Sequence, residues 1–340
     1  MRVLQALGGA RHGGAEQFFL RLVAALHRAG QDQLALVRHA AHAAHLRAAG
    51  VAVHELPFGG ALDWRTGRGF RRAIAAYRPD IILTWMSRAS RLCPRGEFVH
   101  VARLGGYYDL KHYRNCDHLI GNTRDLVAYF IAEGWPQHRA HYLPNFVEEP
   151  GAAAAERSSV GTPEGVPLAL ALGRLHPNKG FDLLIDALAQ VPGLHLWIAG
   201  AGALRSALER QAAGLGLGER VRFLGWREDT AALLAAADLL VCASRHEPLG
   251  NVVIEAWAAA RPVVAAASAG PRQLIREGES GLLVPVDDAA ALAAALRQVT
   301  GDAALRRRLA AGGRAAYEAE FTEARVVAQY RAFFAEVAAR

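Results

Sequence analysis

A chain of 340 residues exceeds one comfortable core, so two domains are expected. Apolar residues make up 52% and charged residues 21%, a globular balance that excludes a disordered or fibrous chain. The net charge of +7 lies wholly in residues 1–150, which hold 19 of the 39 Lys and Arg against 12 of the 32 Asp and Glu; the remainder holds 20 of each.

Eleven of the fourteen histidines share that first half, so acidic conditions make it more basic still. Such a surface suits an anionic partner: nucleic acid, a phosphorylated glycan or an acidic membrane. A solvated arginine-rich surface explains it equally well. No apolar run reaches the roughly 18 residues of a membrane span, and MRVLQALGG is too short and glycine-broken for a signal peptide. A cytoplasmic protein is expected, with peripheral contact at the inner face of the membrane open. The three cysteines, Cys93, Cys116 and Cys242, have neither disulfide nor zinc spacing and read as reduced core residues.

Along the chain, short β-rich runs alternate with amphipathic helices, the pattern of parallel βαβ units. VLQAL, QLALV, VAVHEL, DIILTW, EFVHVA and DHLI are the strands of the first half. After the first of them, Ala15, Phe18, Phe19, Leu22, Val23 and Leu26 recur at spacings of three and four and predict a helix with one apolar face. GFRRAIAAY and TRDLVAYFIAEGW predict two more, with Thr123 as an N-cap. The stretch EEPGAAAAERSSVGTPEG lacks large apolar residues and reads as a linker. PLALAL, LHLWIAG, RVRFLGW, DLLVCAS, RPVVAAA and GLLVPV then form a second strand series, with helices such as FDLLIDALAQ between them. From Asp302 to Arg340 the pattern is helical, with a break expected at Gly312-Gly313. Domains are expected at 1–150 and 166–316, with a linker at 151–165 and a helix at 317–340 that can cross back to the first domain.

Ligands of open α/β sheets collect at the carboxyl ends of the strands. There, SRHEPLGNVVIEAWA leads from a strand through a loop into a helix whose first N–H groups, near Leu249, Gly250 and Asn251, form an anion site. Glu247 precedes that helix, and Glu255 lies roughly 7 Å along it at 1.5 Å per residue. A carboxylate is repelled by phosphate but accepts strong hydrogen bonds from sugar hydroxyls. A ligand with hydroxyls on both sides of a diphosphate, as in a nucleotide-sugar, satisfies both glutamates. GRLHPNKG adds Arg174 and Lys179 at a corresponding strand end, where two cations can neutralise a diphosphate and grip it harder as its charge grows.

GRLHPNKG, the paired Glu247 and Glu255, LPNFVE at 143–148 and GGAE at 13–16 together resemble the retaining glycosyltransferases of the GT-B fold, the large group-4 family, and among them the bacterial lipopolysaccharide-core transferases. The resemblance runs the length of the chain. It implies an α/β fold of two Rossmann-like domains with parallel sheets facing across a cleft, plus C-terminal helices. Arg174 and Lys179 would hold the donor diphosphate, Glu255 the ribose, and Glu247 the transferred sugar. Leu249, Gly250 and Asn251 would donate backbone N–H groups. Gly13 and Gly14 would approach the phosphates, and Gly225, in FLGW, would sit beside the base. Many family members carry a histidine near the reacting sugar; here that region reads VARLGGYYDLKHY, and Asp109 is the first candidate for the role, followed by Tyr107 and His112.

The implied reaction moves a sugar from a nucleoside diphosphate donor, uridine-linked, to a hydroxyl of an anionic envelope glycan or glycolipid, with retention of configuration. The chain has no Asp-x-Asp triplet, and neither metal nor cofactor is expected. Three other readings are weaker. A nucleotide-cofactor oxidoreductase has only the incomplete fingerprint WIAGAGAL. A nucleic-acid-binding protein lacks an aromatic-basic signature. An inactive nucleotide-sugar-binding protein would have no reason to keep all four charged residues.

Overall fold

The structure, a computed structural model, describes residues 1–11, 13–60, 63–151 and 153–339. The chain forms two compact units, Met1–Phe146 with Glu323–Arg340 and Val147–Thr322. No helix of the described residues is long and apolar enough to cross a membrane.

In the first unit, strands β1 (Arg2–Leu7), β2 (Asp32–Val37), β3 (Ala52–Glu55), β4 (Ile81–Trp85), β5 (Val99–Leu104), β6 (His118–Gly121) and β7 (Ala140–Tyr142) make one parallel sheet, ordered β3-β2-β1-β4-β5-β6-β7. Helices α1 (Gly14–Arg28), α2 (Ala40–Ala48), α3 (Trp64–Tyr77), α4 (Met86–Leu92) and α5 (Arg124–Ala132) connect them. Both faces are apolar, as a covered parallel sheet requires. Val3 and Leu7 pack with Phe18, Phe19, Leu22, Val23 and Leu26 of α1, while Leu4 and Ala6 pack with Phe58 and Phe70 on the opposite face. The face predicted for α1 is thus the buried one, although Ala15 is only half-buried. β7 was not legible in the sequence, because His141 and Tyr142 interrupt any apolar run in a three-residue edge strand.

One buried cation knits this unit together. Arg103, at the end of β5, is 2% exposed and lies 4.6 Å from the ring centres of both Phe18 and Trp85. Its Nε donates to the Tyr330 hydroxyl at 2.8 Å, and its Nη2 to Asn145 Oδ1. With two aromatic rings beside it and oxygens as acceptors, the charge is compensated with no ion pair among the described residues.

The second unit holds β8 (Leu168–Leu172), β9 (His195–Ala199), β10 (Val221–Gly225), β11 (Leu239–Cys242), β12 (Val263–Ala266) and β13 (Leu282–Val284), all parallel in the order β10-β9-β8-β11-β12-β13. Its helices are α6 (Phe181–Ala189), α7 (Arg205–Gly214), α8 (Thr230–Ala236), α9 (Asn251–Ala258), α10 (Ala269–Leu274), α11 (Ala289–Gly301) and α12 (Ala303–Glu320). α13 (Glu323–Ala338) returns to the first unit, where Tyr330, Phe333 and Phe334 join the α1 side of the core.

Three expectations need correction. The first unit ends at Phe146, and the stretch read as a linker is held within the second unit. Ala155 N donates to Ala232 O at 2.9 Å, Arg157 spans the Ala236 and Val166 carbonyls, and Trp197 Nε1 donates to Thr162 at 2.8 Å; Ala152 lies outside the described residues. Small residues here mark a tight path over a surface. Nor is the C-terminal helix broken at Gly312-Gly313, since α12 runs through both. A Cβ would fall 2.1 Å from Glu279 O at Gly312 and 2.3 Å from Trp257 Cδ1 at Gly313, so these glycines serve close packing. The break comes instead between α12 and α13, which moves the expected boundary from 316–317 to 322–323.

Candidate functional site

The second sheet reverses direction of growth between β8 and β11, its topological switch point. α6 packs on one face with Ala169 and Ala171 of β8, and α9 on the other with Leu168 and Leu170. The segments leaving β8 and β11 therefore lead to helices on opposite faces of the sheet. Arg174 and Lys179 follow β8, Glu247 lies on the loop after β11, and Glu255 lies on α9.

After β8, the chain makes a short 3-10 turn at Pro177–Lys179, capped by His176, whose Nδ1 accepts from Asn178 N at 3.2 Å. Gly180 then starts α6 at φ +62°, where a Cβ would lie 2.1 Å from Ala243 O. Only glycine allows the two loops this contact. After β11, Gly250 takes φ +84° and opens α9. Lys179 Nζ and Glu247 Oε2 form an ion pair with side chains 22% and 13% exposed. Glu247 Oε1 also accepts from Gly250 N at 3.3 Å. The carboxylate thus bridges an ammonium and a helix-start N–H, the two kinds of donor that a phosphate would use.

Arg245 fastens the loops to each other. Its Nη1 and Nη2 grip the Asp182 carboxylate at 2.8 and 2.7 Å, Nε reaches Asp287 at 2.5 Å, and Nη1 also donates to Pro177 O at 2.9 Å. The guanidinium holds the Asp182 carboxyl below the ordinary carboxylate range, and the two carboxylates push the guanidinium's own pKa up. Sequence reading missed this residue. Its only signal was a charge inside the motif, with its carboxylate partners far away in the chain.

Around this centre, Arg174 stands exposed on the β8 loop without an ion pair among the described residues. Glu255 is the fifth residue of α9, half-buried, and Leu249 is buried beneath the turn. Asn251 is the first residue of α9. Gly225 ends β10 at φ +71°, and its carbonyl accepts from Gly200 N at 2.7 Å, which fixes the rim beside the exposed Trp226. In the second unit Arg174, Lys179, Glu247, Leu249, Gly250 and Asn251 follow the carboxyl ends of β8 and β11, Gly225 ends β10, and Glu255 lies on α9.

Five of the candidates, Gly13, Gly14, Tyr107, Asp109 and His112, belong to the first unit. Gly13 and Gly14 are exposed where α1 begins, and the buried Glu16 folds back over them to accept from Ala10 N at 2.8 Å. A Cβ on Gly13 would meet Glu16 Oε2 at 2.2 Å, so the glutamate of GGAE braces its own loop, a part not read from the sequence. Asp109 lies on the loop after β5. It is exposed, caps the turn at Leu110–Tyr113 through Lys111 N at 2.9 Å and pairs with Lys111 Nζ at 2.5 Å. Lys111 holds its carboxyl below the ordinary range, which makes it a weak proton acceptor and a turn cap. Tyr107 stacks edge-on with Tyr129 at 5.3 Å, and His112 N donates to Asp109 O at 3.3 Å.

Lys179, Glu247 and the start of α9 thus meet at the switch point of a Rossmann-like unit, and known proteins resemble the chain that carries them. Residues 166–302 match the family described as Glycosyl transferases group 1. Two curated proteins of Rhizobium meliloti (strain 1021) are similar over nearly the whole chain. Lipopolysaccharide core biosynthesis glycosyltransferase LpsE is 36% identical over 329 residues, covering 94% of this chain and 95% of that protein. LpsD, with the same description, is 36% identical over 330 residues, covering 95% of each. The chain belongs to the group 1 glycosyltransferase family and is a glycosyltransferase. Among solved structures, Anabaena Alr3699/HepE in complex with UDP superposes with a TM-score of 0.86 at 23% identity, covering 99% of this chain and 100% of that one. At that identity the likeness speaks to the fold, which is GT-B.

Proposed function

We propose that this glycosyltransferase moves a sugar from a uridine diphosphate donor to a hydroxyl of an anionic envelope glycan or glycolipid of the lipopolysaccharide-core kind, with retention of configuration and without a divalent metal. The observation that carries the reading is the meeting of Lys179 with Glu247 and the start of α9 at one strand end. The names of LpsE and LpsD support the acceptor class, and crystals of the Anabaena protein with UDP and with UDP-glucose support the donor class.

On this reading the donor diphosphate takes the place that the Glu247 carboxylate now holds. Lys179 and Arg174 turn to phosphate oxygens, and the N–H groups near Leu249, Gly250 and Asn251 add neutral donors. Glu247, released, accepts from hydroxyls of the transferred sugar, while Glu255 accepts from the ribose. As the bond from the anomeric carbon to the diphosphate oxygen breaks, its electron pair leaves with the diphosphate. The two cations stabilise that charge more strongly than the ground state. The acceptor oxygen bonds to the same carbon from the face the diphosphate leaves, and its proton passes to a departing phosphate oxygen. No side-chain base is required, which fits the capping role of Asp109.

The same reading sets the enzyme in the cytoplasm at the inner face of the membrane. Support comes from α3, which exposes Arg65, Arg68, Arg71 and Arg72 along with Trp64, itself 68% exposed. Cations attract acidic headgroups, and tryptophan favours the interface.

A thermal-shift screen of nucleotide-sugars, followed by mass spectrometry of products, tests the proposal. Uridine-linked donors should raise the melting temperature, and one should be consumed in the presence of EDTA. Absence of stabilisation by any nucleoside diphosphate sugar would overturn the donor assignment, and loss of turnover in EDTA would overturn the metal-free mechanism.

A further inference from the structure

The first unit has a cavity of roughly 330 Å³ at the end of its sheet opposite to Gly13 and Asp109, among the segments that enter β5, β6 and β7. It is lined by Arg95, Arg114 and Arg139, with Asn115, Asp117 and His100 between them. Three guanidinium groups around one small cavity repel each other unless something anionic compensates them.

The charges are oriented and only one of them is paired: Arg139 meets the Asp117 carboxylate, which leaves Arg95 and Arg114 uncompensated in the lining. Arg95 is forked onto the amide oxygen of Asn115, at 3.2 Å from Nε and 2.8 Å from Nη2. Arg139 Nε donates to the backbone oxygen of Asp117 at 2.5 Å. A neutral acceptor thus fixes the head of Arg95, while Arg139 is held by the backbone oxygen and the carboxylate of Asp117. Arg114 is exposed and has no ion pair among the described residues. Asp117 is the one carboxylate in the lining; its Oδ2 accepts from His100 N at 2.8 Å, and its Oδ1 sits 3.3 Å from Arg139 Nη2. The floor is rigid: His100 is 3% exposed, its Nδ1 meets Asn115 O at 3.1 Å, and its Nε2 meets Thr84 Oγ1 at 3.0 Å. Burial keeps that imidazole below its ordinary pKa, so it adds no charge at neutral pH.

We infer that this cavity is a binding site for a phosphate group, carried by a soluble phosphorylated compound or by the headgroup of an anionic lipid. Pre-oriented guanidinium groups match phosphate oxygens in paired hydrogen bonds, and the volume admits the phosphate with a few attached atoms. Strands β5 and β6 run from this cavity to the loops at the far end of the sheet, so the site is separate from the region of Gly13 and Asp109.

Isothermal titration of the full chain with inorganic phosphate and glycerol 3-phosphate tests this, alongside flotation with phosphatidylcholine vesicles with and without phosphatidylglycerol. The probes are applied to the unaltered protein, to a double variant Arg95→Gln with Arg114→Gln, and to Lys179→Ala. The inference expects binding in the unaltered protein and in Lys179→Ala, and at least a tenfold loss in the double variant with unchanged melting temperature and unchanged sugar transfer. Loss seen with soluble phosphates identifies a soluble ligand; loss confined to phosphatidylglycerol vesicles identifies a headgroup. Equal binding by the double variant in both arms, or phosphate binding lost only in Lys179→Ala, overturns it. Failure of the donor assignment would appear separately, as sugar transfer unaffected in Lys179→Ala.

Discussion

The guanidinium of Arg245 meets the carboxylate of Asp182 through two near-parallel hydrogen bonds of 2.8 and 2.7 Å, tying the loop that carries Glu247 to the helix that follows Lys179. A lysine cannot make this fork, because an ammonium is a point charge. Arg245→Lys should keep the melting temperature within a few degrees yet lower kcat/KM roughly 10- to 100-fold, an effect on the order of 1.4–2.8 kcal/mol. Asp182→Asn should act in the same direction. Steady-state kinetics with the fold checked by circular dichroism reads the effect, and unchanged kcat/KM in both variants would show that the clasp does not position the site.

Because Asp182 has a carboxyl pKa lowered by Arg245, the stability it contributes is present above the ordinary carboxylate value of 3.8 and is lost as pH falls through its lower folded value. His100 acts at milder pH. Its folded pKa is lowered by burial from 6.5, so below about 6.5 the unfolded chain binds a proton that the folded one does not. Stability should therefore fall as pH drops from 7 toward 5, and His100→Gln should flatten that part of the profile. Denaturant melts across this range measure it; identical slopes in both proteins would contradict the assignment.

Gly312→Ala sets a Cβ 2.1 Å from the Glu279 carbonyl oxygen inside the packing of α12, and backbone cannot yield as a side-chain tip can. Overpacking of this kind costs about 1–3 kcal/mol. Thermal melting should fall by several degrees, with helix propensity working in the opposite direction and losing. An unchanged or higher melting temperature would mean that α12 shifts freely.

Lys179→Met removes the cation beside a Glu247 side chain that is only 13% exposed. The stranded carboxylate should weaken binding of the free nucleoside diphosphate by more than tenfold, since both the attraction of the lysine and its shielding of Glu247 are gone. Adding Glu247→Gln should recover part of the loss for the nucleotide while leaving sugar transfer low. Fluorescence or calorimetric titration of the single and double variants gives the comparison; strictly additive effects would show that the two residues are not coupled.

Much of the fold was legible because strands covered on both faces read as plain apolar runs. Leu168–Leu172 and Ile81–Trp85 needed no partner to be recognised. The short edge strand Ala140–Tyr142 had no such signature, and the glycines of α12 looked like a helix break because their neighbours, Trp257 and Glu279, come from distant segments. The site divides in the same way. Lys179, Glu247 and Gly250 sit at fixed spacings from strand ends and could be read locally. Arg245 could not be, since its carboxylate partners lie 63 and 42 residues away. Asp109 gave no local sign of its capping role or of its ion pair with Lys111, two residues on.

The measurement that bears most directly on the charged switch point is a paired comparison of donor binding and turnover in Lys179→Ala and Glu255→Ala. A diphosphate on Lys179 and a ribose on Glu255 require both variants to lose donor affinity and turnover by tenfold or more, with Lys179→Ala alone also losing inorganic pyrophosphate. Unaltered donor affinity and turnover in both would mean that the sugar nucleotide is held elsewhere.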